Sequence, residues 1–395
     1  MRICLVYDCL FPHTVGGAER WYRNLAERLA ADGHAVTYLT LRQWDRGTGA
    51  GVPGVDVRVV GPRMALYAGP GQRRVLPPLV FGAGVLIHLL RHGRRYDVVH
   101  TCSFPYFSLL AAALAAPLGR YRLAVDWFEV WSRGYWREYL GRTGGDLGWL
   151  VQRLCARVRQ RAFCFSRLYA QRLRAEGLRG KITMLAGAYD GPLQGRPVTD
   201  AEPLVVFAGR HIPEKRVPTI VPAIARLRTE IPGLRGLILG DGPECERVRD
   251  AVAAAGLRDV IRVPGFVSSA EVEQAFARAL CMVLPSRREG YGMVVIEAAF
   301  FGTPSIVVAG EDNAAVELVQ EGVNGFIASS ASAEDLAAAI LRVHAAGETL
   351  HRSTAQWFAG NARRLSLESS LEMVIDAYQS RSGGDGPSRL PALAP

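Results

Sequence analysis

Residues 285–297 read PSRREGYGMVVIE and set two carboxylates, Glu289 and Glu297, on either side of a turn made of Gly290, Tyr291 and Gly292. An apolar run, CMVL at 281–284, precedes the turn, and a helix-like run opens at Met293. Glycines at such a junction let the chain turn tightly, and the N–H groups at the start of the following helix form an anion site of phosphate size. The flanking carboxylates can accept hydrogen bonds from hydroxyl groups, although an ordinary loop Glu and an ordinary helix Glu would give the same spacing. A second segment, GRHIPEKR at 209–216, follows the apolar run LVVFA and supplies Arg210 and Lys215, which suit a phosphate or make up a solvated basic loop. In a third, VGGAERWYRNLAERL at 15–29, Gly16 and Gly17 stand at the mouth of an amphipathic helix bearing Trp21, Leu25 and Leu29. Alone, a glycine pair is weak ground for a site. A fourth, AVDWFEVWSRGYW at 124–136, gathers Trp127, Phe128, Trp131, Tyr135 and Trp136 around Asp126 and Glu129. It reads as hydrophobic core or as a wall on which a ligand stacks. His100 closes a separate run, DVVH.

The elements that must position these residues alternate along the chain. Strand-like runs fall at 2–7, 36–40, 55–60, 97–100 and 123–125, and a second series at 204–208, 236–239, 260–263, 281–284 and 305–308, with helix-length segments between. Alternation of this kind predicts parallel sheets covered by helices. Two series, divided by a stretch rich in Gly, Pro and Asp near 187–203, predict two Rossmann-like domains of α/β class. The expected division is a first domain at 1–187, a linker at 188–203, a second domain at 204–355, a helix at 356–380 and a disordered tail at 381–395. Helical stretches are expected at about 332–346 and 355–380. No GxGxxG follows the first strand, which counts against a nicotinamide-dependent dehydrogenase. A non-catalytic two-domain ligand-binding protein is the alternative of another class.

Glu289-x7-Glu297, with its preceding Pro-Ser and its Gly-Tyr-Gly, resembles the signature of the retaining GT4-type glycosyltransferases (group 1), which have the GT-B fold, two Rossmann-like domains with parallel sheets facing a central cleft. The likeness covers most of residues 1–380. It implies transfer of a sugar from a UDP- or GDP-linked donor, with Glu297 on the ribose, Glu289 on the donor sugar, and Gly290, Tyr291, Gly292 and Met293 along the diphosphate. Residues 209–216 are similar to the family's basic turn, so Arg210 and Lys215 are expected on the leaving diphosphate. Gly16 and Gly17 resemble a loop bordering the donor phosphates, and Phe266 and Val267, in VPGFVSSAEV at 263–272, lie where the family seats the base. The first domain is expected to bind the acceptor through His100, Asp126, Phe128, Glu129, Trp131 and Tyr135, and the helix at 356–380 to cross back to it. Two departures stand out. The family's active-site His falls near Phe128, and AGAYD at 186–190 replaces a Pro-Asn-Gly-Val-Asp linker. A thiol or thione acceptor needs less help from a base, so S-glycosylation in lincosamide-like small-molecule biosynthesis is one alternative. No Asp-x-Asp pair occurs, so neither metal nor cofactor is expected.

Composition bounds the remaining options. The 395 residues carry 47 Lys and Arg against 37 acids, and only Lys181 and Lys215 are lysines. Residues 1–190 hold a surplus of 14 positive charges and 191–395 a deficit of 4. The Arg-rich stretches 63–95 and 153–181 read as solvated faces or as a resting surface on anionic lipid; with the latter, the enzyme would be a membrane-surface glycosyltransferase of cell-envelope lipid or polysaccharide. The expected partners are a nucleotide sugar and a small-molecule or lipid-linked acceptor, with no nucleic acid. Seven scattered cysteines, and a start, MRICLVYDCL, without signal-peptide character, predict a reduced cytoplasmic setting, with peripheral contact at the inner face of the membrane left open.

Overall fold

The computed structural model describes residues 1–14, 16–45, 51–69, 72–196 and 201–380. Contacts divide the chain into two units: Met1–Ala186 joined by a stretch starting at Glu368, and Gly187–Leu367.

In the first unit β1 (Arg2–Val6), β2 (Ala35–Leu41), β3 (Val55–Gly61), β6 (Val98–Cys102), β7 (Arg122–Trp127), β8 (Arg159–Cys164) and β9 (Arg179–Met184) form one sheet in the order 3-2-1-6-7-8-9. Every pairing is parallel. A small antiparallel hairpin, β4 (Tyr67–Gly69) with β5 (Gln72–Arg73), lies outside it. The helices are α1 (Gly17–Ala31), α2 (Leu76–His92), α3 (Tyr106–Gly119), α4 (Arg133–Ala156) and α5 (Arg167–Ala175), and α11 (Leu367–Gln379) belongs here from Glu368 on. Sequence period explains the packing: α1 buries Trp21, Tyr22, Leu25, Ala26 and Leu29, a single stripe at helical spacing. Ser132 and Ser166 accept hydrogen bonds from the backbone N–H groups of Tyr135 and Tyr169 and so start α4 and α5.

The second unit holds β10 (Glu202–Ala208), β11 (Arg235–Leu239), β12 (Ile261–Gly265), β13 (Ala279–Leu284), β15 (Ser305–Val308) and β17 (Gly325–Ala328), parallel in the order 12-11-10-13-15-17. A separate two-residue parallel ladder, β14 (Arg288–Glu289) on β16 (Asp312–Asn313), follows the carboxyl ends of β13 and β15. Helices α6 (Ile220–Leu227), α7 (Cys245–Ala254), α8 (Ser269–Phe276), α9 (Met293–Phe300) and α10 (Ala333–Asn361) cover it. β13 is buried at all six positions, as a central parallel strand must be.

Three expectations change. The basic stretch 153–181 is not one surface segment: it contains the end of α4, β8, α5 and β9. Its charges hid the strands because Arg159 and Arg161 alternate with Gln160 and Ala162, and only Ala162, Phe163 and Cys164 form a short apolar core run. Arg161 donates to Ala377 O at 3.3 Å and to Ser380 Oγ at 2.7 Å, Arg172 to Val130 O at 3.2 Å, and Arg153 pairs with Glu176 at 3.2 Å. The helix expected at 356–380 is two. Residues up to Asn361 complete α10, which bends at Gly347 (φ +53°), and α11 starts afresh at Leu367. The strand expected from 204 begins at Glu202. Residues 381–395 lie outside the described residues. All seven cysteines are buried thiols.

Burial also lowers the proton affinity of four histidines. His88, bonded through Nε2 to the Tyr96 hydroxyl at 2.8 Å, is pushed down to about 4 by burial, with His92 and Arg58 adding repulsion. Burial likewise lowers His34, His211 and His351. At neutral pH these rings are neutral folded or unfolded. Below 6.5 the unfolded chain takes up protons that the folded chain refuses, so stability is lost as pH falls. We expect Tm to drop between pH 6.5 and about 4, with His88→Gln flattening part of that slope. A calorimetric pH series checks it, and a flat Tm over that range would count against the buried neutral rings.

Candidate functional site

In the second unit the two phosphate-type segments meet. β10 and β13 are neighbours, and from them the chain proceeds to opposite sides of the sheet, β11 on one and β15 on the other. Loops at such a switch point diverge and leave a crevice at the carboxyl ends of the strands. The loop after β10 carries Arg210 and Lys215, and the loop after β13 carries Glu289. Lys215 Nζ and Glu289 Oε1 form an ion pair, and Ser286 Oγ donates to the same oxygen at 2.7 Å. Glu289 is buried, while the Lys215 side chain keeps 18% of its surface. The loops are tied at three further points. Arg287 N donates to Glu214 O at 2.8 Å, Arg216 Nε donates to Pro285 O at 2.9 Å, and Arg288 lies 3.6 Å from Glu214. Arg216 holds a left-handed backbone (φ +49°), a conformation that costs about 1–3 kcal/mol in a non-glycine residue. Burial and the nearby Arg287 lower its pKa.

Beneath the loops, Glu289 pairs in the β14–β16 ladder with Asn313. Asn313 is fully buried; its Nδ2 donates to Ser286 O at 3.0 Å and to Val308 O at 2.8 Å, and its Oδ1 accepts from Ala315 N at 3.0 Å. One amide therefore fixes the Ser286 backbone, the end of β15 and the next turn.

Gly292 is the N-cap of α9 with φ +102°, and a Cβ there would lie 2.7 Å from Ala315 Cβ, so glycine alone fits. Gly290 and Tyr291 precede it, and Met293 opens the helix, whose positive end faces the loop. Burial raises the Tyr291 phenol. Glu297 stands exposed in the second turn of α9, and Arg210 is exposed as well. Phe266, just past β12, shows 86% of its surface, and Val267 is half-buried. The structure thus joins Lys215 to Glu289 and leaves Arg210, Glu297 and Phe266 as outward-facing groups on the same carboxyl edge of the sheet.

In the first unit the candidates divide. Gly16 caps α1 in extended conformation, and a side chain there would strike the Glu19 carboxylate, which folds back over the helix N-terminus. Gly17 has open space where its Cβ would be. His100 and Asp126 are corrected: neither has accessible surface, so neither can touch an acceptor directly. His100 Nδ1 is hydrogen bonded to the Tyr378 hydroxyl of α11, its Nε2 lies 3.0 Å from Asp126 Oδ1, and Trp21 Nε1 donates to Asp126 Oδ2 at 2.7 Å. This network locks α1, β6, β7 and α11 together. Burial, with Asp126 adding, raises the Tyr378 hydroxyl.

The aromatic stretch is half core. Trp127 is fully buried and donates to Gln160 Oε1 at 2.8 Å; Tyr135 and Trp136 are buried too. Phe128, Glu129 and Trp131 keep partial exposure, Phe128 stacks on Phe165, and Trp131 Nε1 donates to Glu129 Oε2 at 2.7 Å. Gln152 holds the group from below. Its Oε1 accepts from Tyr106, Trp136 and the Trp131 backbone, and its Nε2 donates to Trp131 O. No role was read for Ser286, Arg216, Asn313 or Gln152 individually, although Ser286 precedes the glycine turn and Arg216 closes the basic segment 209–216.

The family model described as glycosyl transferases group 1 matches residues 194–356, and the one described as glycosyltransferase family 4 matches 15–190. An alpha-D-kanosaminyltransferase of Streptomyces kanamyceticus is 27% identical over 47% of this chain and 48% of its own length. The match spans about half the length, or less, of the first curated relatives. A D-inositol 3-phosphate glycosyltransferase of Segniliparus rotundus is 27% identical over 95% of this chain and 87% of its own. Among solved structures, Anabaena HepE in complex with UDP superposes with a TM-score of 0.73 at 18% identity, covering 96% of this chain and 100% of that one. This likeness shows the fold.

The ion pair makes a thermodynamic prediction. Removing one member strands a buried charge, so Lys215→Met or Glu289→Gln should each cost about 2–4 kcal/mol, whereas the double variant should cost clearly less than their sum. Urea unfolding of the four proteins measures the coupling; strict additivity would refute the pairing.

Proposed function

Because the chain belongs to the GT4-type, group 1 glycosyltransferases and has their GT-B fold, we propose that it transfers a sugar from a UDP- or GDP-linked donor, with retention and without a metal, to an acceptor bound by the first unit. The observation that carries this reading is the Lys215–Glu289 pair at the β10–β13 switch point. In it, a cation is joined to a hydroxyl-accepting carboxylate that lies three residues before the glycine cap of a helix. The donor's diphosphate takes the amides of 290–293 together with Lys215 and Arg210. Glu289 then accepts from donor-sugar hydroxyls, Glu297 from the ribose, and Phe266 and Val267 seat the base. As the bond from the anomeric carbon to the diphosphate oxygen breaks, its electron pair leaves with the phosphate, where the two cations and the helix dipole stabilise it. The acceptor heteroatom forms the new bond, and its proton passes to the departing diphosphate oxygen. Charge on the leaving group is met by Arg210 and Lys215, so the reaction needs no bridging ion, and activity should survive EDTA.

Phe128, Glu129, Trp131 and Gly17 remain as acceptor-side or phosphate-side groups of the first unit. His100 and Asp126 act there through the core, as positioning residues. The UDP held by HepE supports a nucleotide donor. The acceptor's nucleophile, oxygen or sulfur, is decided by competition between hydroxyl and thiol acceptors.

A thermal-shift panel tests the donor. A nucleotide at a hundredfold excess over Kd should stabilise the fold by about 2.7 kcal/mol, and the larger of the UDP and GDP shifts names the base. Lys215→Ala should lower transfer by about 10²–10³, and Glu289→Ala should lower it as well. Failure of both nucleotides to shift Tm, with unchanged turnover in both variants, would overturn the reading.

A further inference from the structure

Helices α2 and α3 carry more apolar surface than the fold buries. On α2, Phe81, Val85 and Leu89 face the core, while Leu76, Leu79, Ile87 and Leu90 point outward with 43–60% exposure. Their spacing draws a second stripe along the opposite side of the same helix. α3 adds Leu114 and Leu118, at 69% and 57%. The two helices end side by side, since a Cβ on Gly93 would lie 3.2 Å from Gly119 Cα. No charged residue occurs at 75–90 or at 105–119. Arg91 stands in the last turn of α2, and Arg74, Arg94, Arg95 and Arg120 stand beyond the helix ends, all exposed. Between Asp56 and Asp126 the chain has nine arginines and a single acid, Asp97, which is paired with Arg2 at 2.9 Å.

At the joined helix ends a cleft of about 550 Å³ is lined by Arg2, Arg94, Arg120, Arg122, Tyr96 and Asp97. Arg94 Nε donates to Leu118 O at 3.3 Å, and Arg120 caps α3 in a left-handed conformation. The cleft sits where β1, β6 and β7 begin, whereas the first unit's candidate groups stand where those strands end. It is therefore distinct from the candidate site.

We propose that the α2–α3 face docks on an anionic lipid bilayer, with its leucines in the acyl boundary and lipid phosphates at the helix-end arginines and in the cleft. Charge selects this occupant. A second copy of the chain would bring the same face, which has arginines and no unpaired acid to meet them. An anionic bilayer offers an apolar layer and negative charge side by side. No helix among the described residues is long and apolar enough to cross a membrane, and α2, 17 residues opening with Pro77 and Pro78, fits a helix lying in the interface. The inference does not depend on the donor assignment.

Sedimentation of the full chain with vesicles tests it. The protein should partition to phosphatidylcholine containing about 30% phosphatidylglycerol and not to phosphatidylcholine alone, and added salt should release it. Leu79→Glu with Ile87→Glu should weaken partition at least tenfold, roughly the cost of taking charge into the acyl boundary. Arg91→Ala with Arg95→Ala should cost about fivefold per arginine. All four positions are solvent-exposed, so Tm should hold in both variants, and partition is read independently of transfer. Equal partition to neutral and anionic vesicles, no partition, or variants that bind like the parent would overturn the proposal. So would a dimer in sedimentation velocity that dissolves in the Leu79→Glu, Ile87→Glu variant, which would give the face to a second copy.

Discussion

Lys215 and Glu289 come from segments 74 residues apart and meet in a place where little water reaches them. Taking an ammonium and a carboxylate out of water costs several kcal/mol per ion, and their mutual attraction offsets this only with good geometry and further hydrogen bonds. The further bonds are present: Ser286 donates to the carboxylate, and Asn313 pins the Ser286 backbone. The pair depends in turn on two adjacent parallel strands that send their chains in opposite directions. Stability alone would be served as well by apolar residues. A charged pair kept at that cost accords with the proposed donor, which carries both phosphate and hydroxyl groups.

The first unit solves a different problem, that of polar groups inside a hydrophobic core. Gln152, fully buried, satisfies three aromatic or backbone donors and one carbonyl, turning a cluster of rings into a rigid scaffold. His100, Asp126, Trp21 and Tyr378 do the same between the sheet and α11. Rigidity beneath leaves Phe128, Glu129 and Trp131 as the partly exposed edge of that scaffold. An aromatic wall that is to present a flat face to a ligand needs such support, because an unsupported ring would collapse onto its neighbours.

The sequence made some of this legible and hid the rest for physical reasons. Strands with uninterrupted apolar runs, such as CMVL and SIVV, declare themselves because both faces are buried. β9 does not, since a sheet-edge strand can carry arginine and lysine, and β8, one strand in, is masked by Arg159 and Arg161 alternating with Gln160 and Ala162. The Glu289-x7-Glu297 spacing was readable because both residues bracket one local turn. Arg216, Asn313 and Gln152 were not, because each acts on a backbone or side chain far away in sequence, and a lone Arg, Asn or Gln has no pattern of its own. His100 and Asp126 were expected to bind the acceptor because residue type and the family resemblance give chemistry, but only the packing of α1 and α11 over them shows that their polar atoms point inward.

The uneven charge takes on a clearer meaning when each cation is placed. Many arginines are structural, bonded to carbonyls or paired with acids, as Arg153, Arg161 and Arg172 are in the stretch that looked most basic. Arg91, Arg95 and Arg120 instead stand at the ends of two helical stretches, 75–90 and 105–119, that carry no charged residue. The charge surplus of the first half thus separates into cations that hold the fold and cations that border an apolar face. Lys215 belongs to neither group. An arginine fork in its place would favour both carboxylate oxygens in one plane and fix Glu289 as its partner, whereas a compact ammonium with three rotatable donors can hold Glu289 and still reach a phosphate. In a chain with 45 arginines and two lysines, a lysine at this position suits the role proposed for it, that of a cation shared between the carboxylate and the donor's diphosphate.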